Sequence, residues 1–149
     1  MIERCGKLVS KDTPGTPVEL RLERIEDSDY ENASFVALNF TLQFVPAANR
    51  LQLLKKVSSA MMRGDALILS EKVRFEDEAV QTLFVDRYHA FKKANGYSDL
   101  EISQKRDALE NVLLPDTIED HLQRLIAADF SNANIWFQYF NFVSIIAVK

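Results

Sequence analysis

Apolar runs and polar turns alternate along this chain, and the first clear strand signal lies at residues 35–38 (FVAL). An unbroken apolar run of this length predicts a short strand buried on both faces, as parallel strands usually are. The run stops at two polar residues, Asn39 and Thr41. Ligands of open α/β sheets bind beyond the carboxyl ends of such strands, so Asn39 is the first candidate binding residue. A polar group that closes a buried strand needs a hydrogen-bond partner, which a loop or a ligand would supply.

The next elements predict a second strand parallel to the first. Apolar residues at helical spacing follow Pro46 and predict a helix that ends near Gly64, where glycine can adopt a left-handed conformation. These residues are Leu51, Leu54, Val57 and Met61. The apolar run 66–69 (ALIL) then predicts a buried strand. A strand, a helix and a strand in this order form a right-handed crossover with parallel strands, which indicates an α/β fold.

The first 25 residues predict one helix and one strand. Apolar residues at helical spacing predict an amphipathic helix at the start, in which Cys5 is expected to be a small buried hydrophobe. They are Met1, Ile2, Cys5, Leu8 and Val9. Residues 11–17 (KDTPGTP) have the composition of a loop. Alternation of apolar and charged residues over 18–25 predicts a strand with one solvated face.

The second half of the chain predicts helices followed by a hairpin. Apolar positions between Val80 and Phe91 lie on one helical face, and Ser98 with Glu101 forms the capping-box pattern of another helix. Residues 117–120 predict a further helix start. The β-branched and aromatic runs 135–139 and 142–148 predict a closing antiparallel hairpin. Its aromatic residues are expected to form the core of the hairpin, with a base-stacking surface as the alternative. They are Trp136, Phe137, Tyr139, Phe140 and Phe142.

Composition narrows the function classes. With 149 residues, 47% apolar and 27% charged, the chain is expected to form a single domain over residues 1–149. A net charge of -4 argues against strong non-specific nucleic-acid binding. No apolar run is long enough for a membrane span and no secretory signal is recognisable, so a cytoplasmic location is expected.

Few residues carry a chemical signal on their own. His89 and His121 are far apart and lack a third ligand at metal spacing, so no metal site is predicted. The glycine-rich, P-loop and CxxC motifs are absent. Lys105 and Arg106 lie among polar residues of a predicted helix, where they form either a solvated face or an anion-binding site.

Four longer strings give the chain a family resemblance. They are residues 31–44 (ENASFVALNFTLQF), 67–77 (LILSEKVRFED), 91–121 (FKKANGYSDLEISQKRDALENVLLPDTIEDH) and 136–149 (WFQYFNFVSIIAVK). Together they closely resemble the carboxy-S-adenosyl-L-methionine synthase family, and the resemblance runs over the whole chain. It implies a class I S-adenosylmethionine-dependent methyltransferase fold, with a mostly parallel sheet that ends in an antiparallel hairpin.

The resemblance also implies a reaction. Family members use prephenate to carboxylate the methyl group of S-adenosylmethionine, releasing phenylpyruvate. The product, carboxy-S-adenosylmethionine, serves the 5-oxyacetate modification of the wobble uridine of certain tRNAs by a partner enzyme. The resemblance therefore implies S-adenosylmethionine as the bound cosubstrate, prephenate as the second substrate, and a homodimer without direct nucleic-acid binding.

Three site residues follow from the resemblance alone. Asn39 matches the family asparagine that contacts S-adenosylmethionine, and Arg106 matches the arginine at the carboxylate end of that ligand, in family dimers from the neighbouring subunit. Ile25 matches the apolar half of an Asp-Ile pair beside the adenine. Arg24 replaces the aspartate of that pair and cannot accept the hydrogen bond of the adenine amine.

Family members carry further strands ahead of the region that this chain resembles, roughly 90 residues at about 30 per strand-helix unit. The chain is therefore expected to expose the edge of the strand at 35–38, to leave the strand at 18–25 without a neighbour, and to bind S-adenosylmethionine poorly alone. Two alternatives remain: a non-enzymatic remnant that acts through dimer contacts of residues 77–112, and an ordinary small-molecule methyltransferase.

Overall fold

A four-stranded sheet organises the computed structural model, which describes residues 2–12, 15, 17–109 and 112–149. The helices and strands follow in the order α1 (Ile2–Asp12), β1 (Phe35–Asn39), α2 (Ala47–Ser59), β2 (Ala66–Lys72), α3 (Glu78–Ala94), α4 (Asp99–Leu109), α5 (Ile118–Ala127), β3 (Asn132–Tyr139) and β4 (Phe142–Val148). A short 3-10 helix, Leu42–Phe44, follows β1. The strands lie side by side in the order β1-β2-β4-β3.

The predicted strand-helix-strand unit is confirmed. Strands β1 and β2 pair in parallel, with Asn39 opposite Ser70, and α2 connects them. Pro46 precedes the first turn of α2, where its missing N–H costs no hydrogen bond. Gly64 has a φ of 93° in the turn before β2, a conformation that glycine adopts without a Cβ clash.

The predicted hairpin is also confirmed. Strand β4 pairs antiparallel with both β3 and β2, and the hairpin turns at Phe140 and Asn141. Side chains of the two central strands are fully buried, among them Leu67, Leu69 and Ile145. Helices α2 and α5 contribute Leu54 and Leu125 to the same core. The core therefore forms around β2 and β4, the strands with neighbours on both sides.

The strand that the sequence predicts at residues 18–25 does not form. The four described strands make a mixed sheet, in which β1 and β2 pair in parallel and β4 pairs antiparallel with both its neighbours. A strand needs a partner for its backbone hydrogen bonds, and none of the described strands pairs with this segment. Its apolar residues Val18, Leu20 and Leu22 are exposed as a result.

Strand β1 lies at an edge of the sheet, as the family resemblance led us to expect. The prediction that this strand is buried on both faces is wrong, because the side chain of Phe35 is 60% exposed and only Leu38 is buried. An apolar strand with an open edge is a site for pairing with another chain.

The prediction of an aromatic hairpin core is wrong for β3. Trp136 is 62% exposed, and Phe137 and Tyr139 are exposed as well. Strand β3 is the other edge of the sheet, so its side chains have neighbours on one side only. Cys5 is likewise exposed rather than buried, on helix α1.

Helix starts in the second half agree with their sequence signals. Asp77 accepts hydrogen bonds from the first N–H groups of α3, and Ser98 and Glu101 form the predicted capping box. Thr117 and Asp120 form another at the start of α5. Met1 and positions 13, 14 and 16 of the predicted loop lie outside the described residues. Within those residues no helix is long and apolar enough to cross a membrane.

Candidate functional site

A cavity of about 450 Å³ lies at the carboxyl ends of the parallel strands. The end of β2 and the loop after β1 form one part of its wall, and helices α3 and α4 form another. Its lining residues are Phe40, Gln43, Phe44, Lys72, Tyr88, His89, Lys92, Ile102, Lys105, Arg106, Leu109, Leu113, Pro115 and Phe142. This is the place where open α/β sheets bind ligands, and the volume suits a small organic molecule.

The lining is cationic. Lys72, Lys92, Lys105 and Arg106 all contribute to it, and none of the described residues that line it is an aspartate or a glutamate. Burial, together with the charges of Lys92 and Lys72, lowers the pKa of His89, so this imidazole is neutral at pH 7. A concave lining with four cationic side chains favours an anionic ligand.

Aromatic rings form the apolar part of the cavity. The ring of Phe142 packs edge-on against Phe40 and Tyr88, with centroid distances of 5.8 and 4.9 Å. The Nζ atom of Lys92 lies 4.4 Å from the centroid of the Tyr88 ring, a cation–π distance. The cavity thus combines an apolar wall of aromatic rings with positive charge. Such a lining suits a ligand that carries both a ring and carboxylates.

Glu71 fixes the loop that contributes Phe40, Gln43 and Phe44. Its carboxylate is fully buried and accepts backbone hydrogen bonds from Thr41, Leu42 and Gln43 at 3.1, 2.8 and 3.1 Å. Burial raises the pKa of Glu71 to about 7, against the lowering effect of these three N–H donors. Lys72 directly follows Glu71. The end of β2 therefore both anchors the loop and supplies a cation to the cavity.

Asn39 and Arg106 lie near this cavity, and Ile25 does not line it. The guanidinium of Arg106 lines the cavity and is also paired with Asp107, at 3.1 Å. Asn39 directly precedes Phe40 and is exposed; its side chain has no hydrogen bond to the described residues. The sequence predicted that Asn39 needs a hydrogen-bond partner from a loop or a ligand. Because its side chain is exposed to solvent, it does not need a partner within the protein.

Ile25 lies in a different concavity, beside Tyr30 and Glu23. It is half-buried and packs against the core. Arg24, which replaces the family aspartate, is exposed and paired with Glu26 at 3.1 Å. The described chain therefore does not bring Ile25 and Arg106 to one cavity.

A second polar cluster supports the far side of the cavity. Arg50 is buried and donates to the carbonyls of Val45, Gln43 and Leu114, and to Asp116 at 2.6 Å. These bonds hold the segment before α5, whose Pro115 lines the cavity. Among the described residues no group of three metal-ligating side chains is found.

His121 is buried next to this cluster with both ring nitrogens unpaired. Burial lowers its pKa to about 4, with the charge of Asp116 acting in the opposite direction. A histidine in this setting is neutral at pH 7 and contributes as a packing residue.

Sequence reasoning found Arg106 and Lys105 but missed Lys72, Lys92 and Glu71. A usable signal existed for two of them, since Glu71 and Lys72 continue the apolar run of β2. Charged side chains at the end of a buried run need a partner, which either the chain itself or a ligand must supply.

Similarity to known proteins agrees with the resemblance read from the sequence. Carboxy-S-adenosyl-L-methionine synthase of Marinobacter nauticus is 52% identical over 149 residues, all of this chain and 60% of that protein. The protein of the same name from Citrifermentans bemidjiense is 51% identical over 150 residues, all of this chain and 62% of that protein. The chain therefore spans about three fifths of the length of these relatives. No protein-family profile matches it.

Solved structures identify the fold. The S-adenosylmethionine-dependent methyltransferase SibL aligns over 99% of this chain and 40% of its own, with a TM-score of 0.65 and 14% identity. Human N-acetylserotonin methyltransferase aligns over 87% of this chain and 33% of its own, with a TM-score of 0.59 and 14% identity. The α/β class and the class I methyltransferase fold are thereby confirmed. Over all of its 149 residues, the chain is similar to carboxy-S-adenosyl-L-methionine synthases.

Proposed function

We propose that the protein acts as a carboxy-S-adenosyl-L-methionine synthase, with S-adenosylmethionine and prephenate as substrates. The observation that carries the proposal is identity of about half over the whole chain with proteins of that name. The cationic, ring-lined cavity supports it, because prephenate is a cyclic molecule with two carboxylates.

The proposed reaction forms a carbon–carbon bond at the sulfonium methyl group. Prephenate loses carbon dioxide and hydroxide and becomes phenylpyruvate. The hydroxide takes a proton from the methyl group and leaves as water, and the ylide carbon then attacks the carbon dioxide. A site with little water protects both the ylide and the carbon dioxide, and a cation stabilises the new carboxylate.

Within this proposal, Arg106 contacts the carboxylate end of S-adenosylmethionine, and Asn39 contacts the same ligand from the end of β1. The position of Arg106 in the cavity lining supports its part. Ile25 packs beside the adenine, in a protein where Arg24 replaces the acidic residue of the family. Ile25 lines another concavity, so its contact with the adenine depends on residues outside the part of the chain that the structure describes.

The finer features of the proposal come from the family resemblance. The product serves tRNA wobble-uridine modification in the cytoplasm, and the protein acts as a homodimer. Two alternatives compete with this proposal: an ordinary small-molecule methyltransferase and a non-enzymatic dimerisation fragment. Exposed apolar side chains of α3, such as Leu83 and Phe91, lie in the region that the last alternative invokes.

A chimera tests the proposal. The residues of the Marinobacter nauticus relative that lie outside the matched region are fused to this chain in their native order. We expect the chimera to convert S-adenosylmethionine and prephenate to carboxy-S-adenosylmethionine and phenylpyruvate, measured by mass spectrometry. Arg106→Ala should abolish turnover, whereas Arg87→Ala, an exposed substitution on α3, should leave it unchanged. Methyl transfer without consumption of prephenate would favour the competing methyltransferase.

The 149-residue chain alone provides a second test. Because β1 has an open edge and the segment 17–24 has no paired strand, we expect weak or undetectable binding of S-adenosylmethionine. Isothermal titration calorimetry measures this directly. Micromolar affinity of the chain alone would contradict the expectation.

A further inference from the structure

The neighbours of Lys72 do not explain why a charged side chain lies at this position. Its side chain is half-buried at the end of β2, and it forms no ion pair within the part of the chain that the structure describes. Burial and the nearby charge of Lys92 both lower the pKa of Lys72. A half-buried ammonium without a carboxylate partner is destabilising, so the position is better explained by a ligand than by packing.

The surroundings of Lys72 are built for an anion. Lys92 contributes a second ammonium, and its Nζ lies over the Tyr88 ring rather than beside a carboxylate. The backbone N–H of Lys72 donates to Oε1 of Gln43 at 3.1 Å, and the adjacent Glu71 holds the loop backbone. These contacts fix the course of the chain at Lys72 and leave its ammonium available to the cavity.

The cations of the cavity come from different elements. Lys72 lies at the end of β2, whereas Lys105 and Arg106 lie on α4. The charges of Lys72 and Arg106 both lower the pKa of His89, which also lines the cavity. A ligand with one carboxylate needs only Lys72 or Lys105, and a ligand with two carboxylates can use both, which leaves Arg106 to the carboxylate of S-adenosylmethionine.

We propose that Lys72 is a specificity-determining residue whose ammonium binds the second carboxylate of a cyclic dicarboxylate, at a position separate from the guanidinium of Arg106. The proposal rests on the proposed function and extends it, since it says which residue separates dicarboxylates from monocarboxylates. The ring of such a ligand packs against Tyr88 and Phe142.

The test uses two probes that share a phenyl ring and differ in charge: 2-benzylsuccinate with two carboxylates and 3-phenylpropionate with one. We expect the 149-residue chain to bind benzylsuccinate about tenfold more tightly, because one additional charge-assisted hydrogen bond contributes about that factor. Calorimetric titration at low ionic strength and pH 7.5 gives both dissociation constants.

Substitution of Lys72→Met keeps an unbranched side chain of nearly the same length and removes its charge. We expect the preference for benzylsuccinate to fall to within about twofold, while the affinity for phenylpropionate stays within about twofold of the original. Lys72→Arg should retain most of the preference. Lys55→Met, an exposed substitution on α2 outside the cavity, should change neither affinity.

Three outcomes would overturn the proposal: an unchanged preference in Lys72→Met, an equal loss for both probes, or an equal loss in Lys72→Arg. Absence of saturable benzylsuccinate binding by the original chain would overturn it as well.

The chimera separates this inference from the proposed function. There, Lys72→Met should raise the KM for prephenate about tenfold or more without raising the KM for S-adenosylmethionine. A chimera that turns over prephenate equally well with Lys72→Met would leave the function in place and remove the role of Lys72. A chimera without turnover, whose chain still selects dicarboxylates through Lys72, would refute the function and retain the subsite.

Discussion

Glu71 is a buried carboxylate whose protonation is coupled to stability. Burial raises its pKa to about 7 from an ordinary value of 4.5. A raised pKa means that the folded chain binds the proton more tightly, so stability is greatest below pH 4.5 and falls as the pH rises towards 7. The difference amounts to roughly 3 kcal/mol. Glu71→Gln should remove this contribution, so that urea unfolding between pH 4.5 and 7.5 shows the variant gaining stability relative to the original chain as the pH rises. The exposed Glu31→Gln should show no such gain relative to the original chain.

His121 contributes a pH dependence of the opposite sign. Burial lowers its pKa from 6.5 to about 4, so the unfolded chain binds a proton first and stability falls as the pH drops from 6.5 towards 4. This contribution is also roughly 3 kcal/mol. His121→Leu should remove it and stabilise the chain at pH 7 by about 1 kcal/mol, since it removes two unpaired buried nitrogens. A destabilised variant with an unchanged acid slope would show that the ring nitrogens have partners in solution.

The two contributions act in the same pH window and largely cancel in the original chain. Glu71→Gln should therefore expose the loss of stability on acidification, to which His89 adds because its pKa is also lowered. His121→Leu should expose the loss on raising the pH. Urea unfolding of both variants at pH 4.5, 5.5 and 6.5 checks the prediction, and slopes of the same sign in both would contradict it.

At the scale of single elements, the start of α5 is the clearest case of a local signal with a tertiary effect. Thr117 Oγ accepts the N–H of Asp120 at 3.1 Å, and Asp120 accepts the N–H of Thr117 at 2.9 Å. Leu125 on this helix is fully buried in the core. We expect Thr117→Ala to lower the free energy of unfolding by about 1 kcal/mol and Thr117→Ser to restore most of it. Ser103→Ala, within α4, should change stability by less than about 0.5 kcal/mol. Equal effects at the two positions would show that the cap contributes nothing specific.

At the scale of the whole molecule, the open edge of β1 is the dominant feature. Phe35 is exposed beside it, and the apolar residues of the segment 17–24 are exposed as well. We expect the chain to self-associate, because unpaired apolar strand edges pair with other chains. Sedimentation velocity should show weaker association for Phe35→Lys and unchanged association for Leu100→Lys, an exposed position on α4. Equal weakening by both substitutions would indicate a general charge effect.

The sequence by itself determined the elements whose signals are local. Pro46 precedes α2, Thr117 and Asp120 start α5, and a β-branched run and an aromatic run form the hairpin, because capping and turn formation depend on residues only a few positions apart. The end of α2 was predicted near Gly64, but the helix ends at Ser59, and Gly64 lies in the turn before β2. The family resemblance likewise came from the sequence alone, through stretches such as residues 31–44 and 91–121.

Only the tertiary structure decided burial and the composition of the cavity. The alternation at 18–25 matches a strand, yet none forms because strand pairing needs a neighbour that local sequence does not reveal. Trp136 is exposed because β3 lies at an edge of the sheet. Lys72 and Arg106 converge only through the packing of β2, α3 and α4 around one end of the sheet. Contacts between residues far apart in sequence depend on the whole chain at once, which is why the cationic cavity could be recognised only in the folded chain.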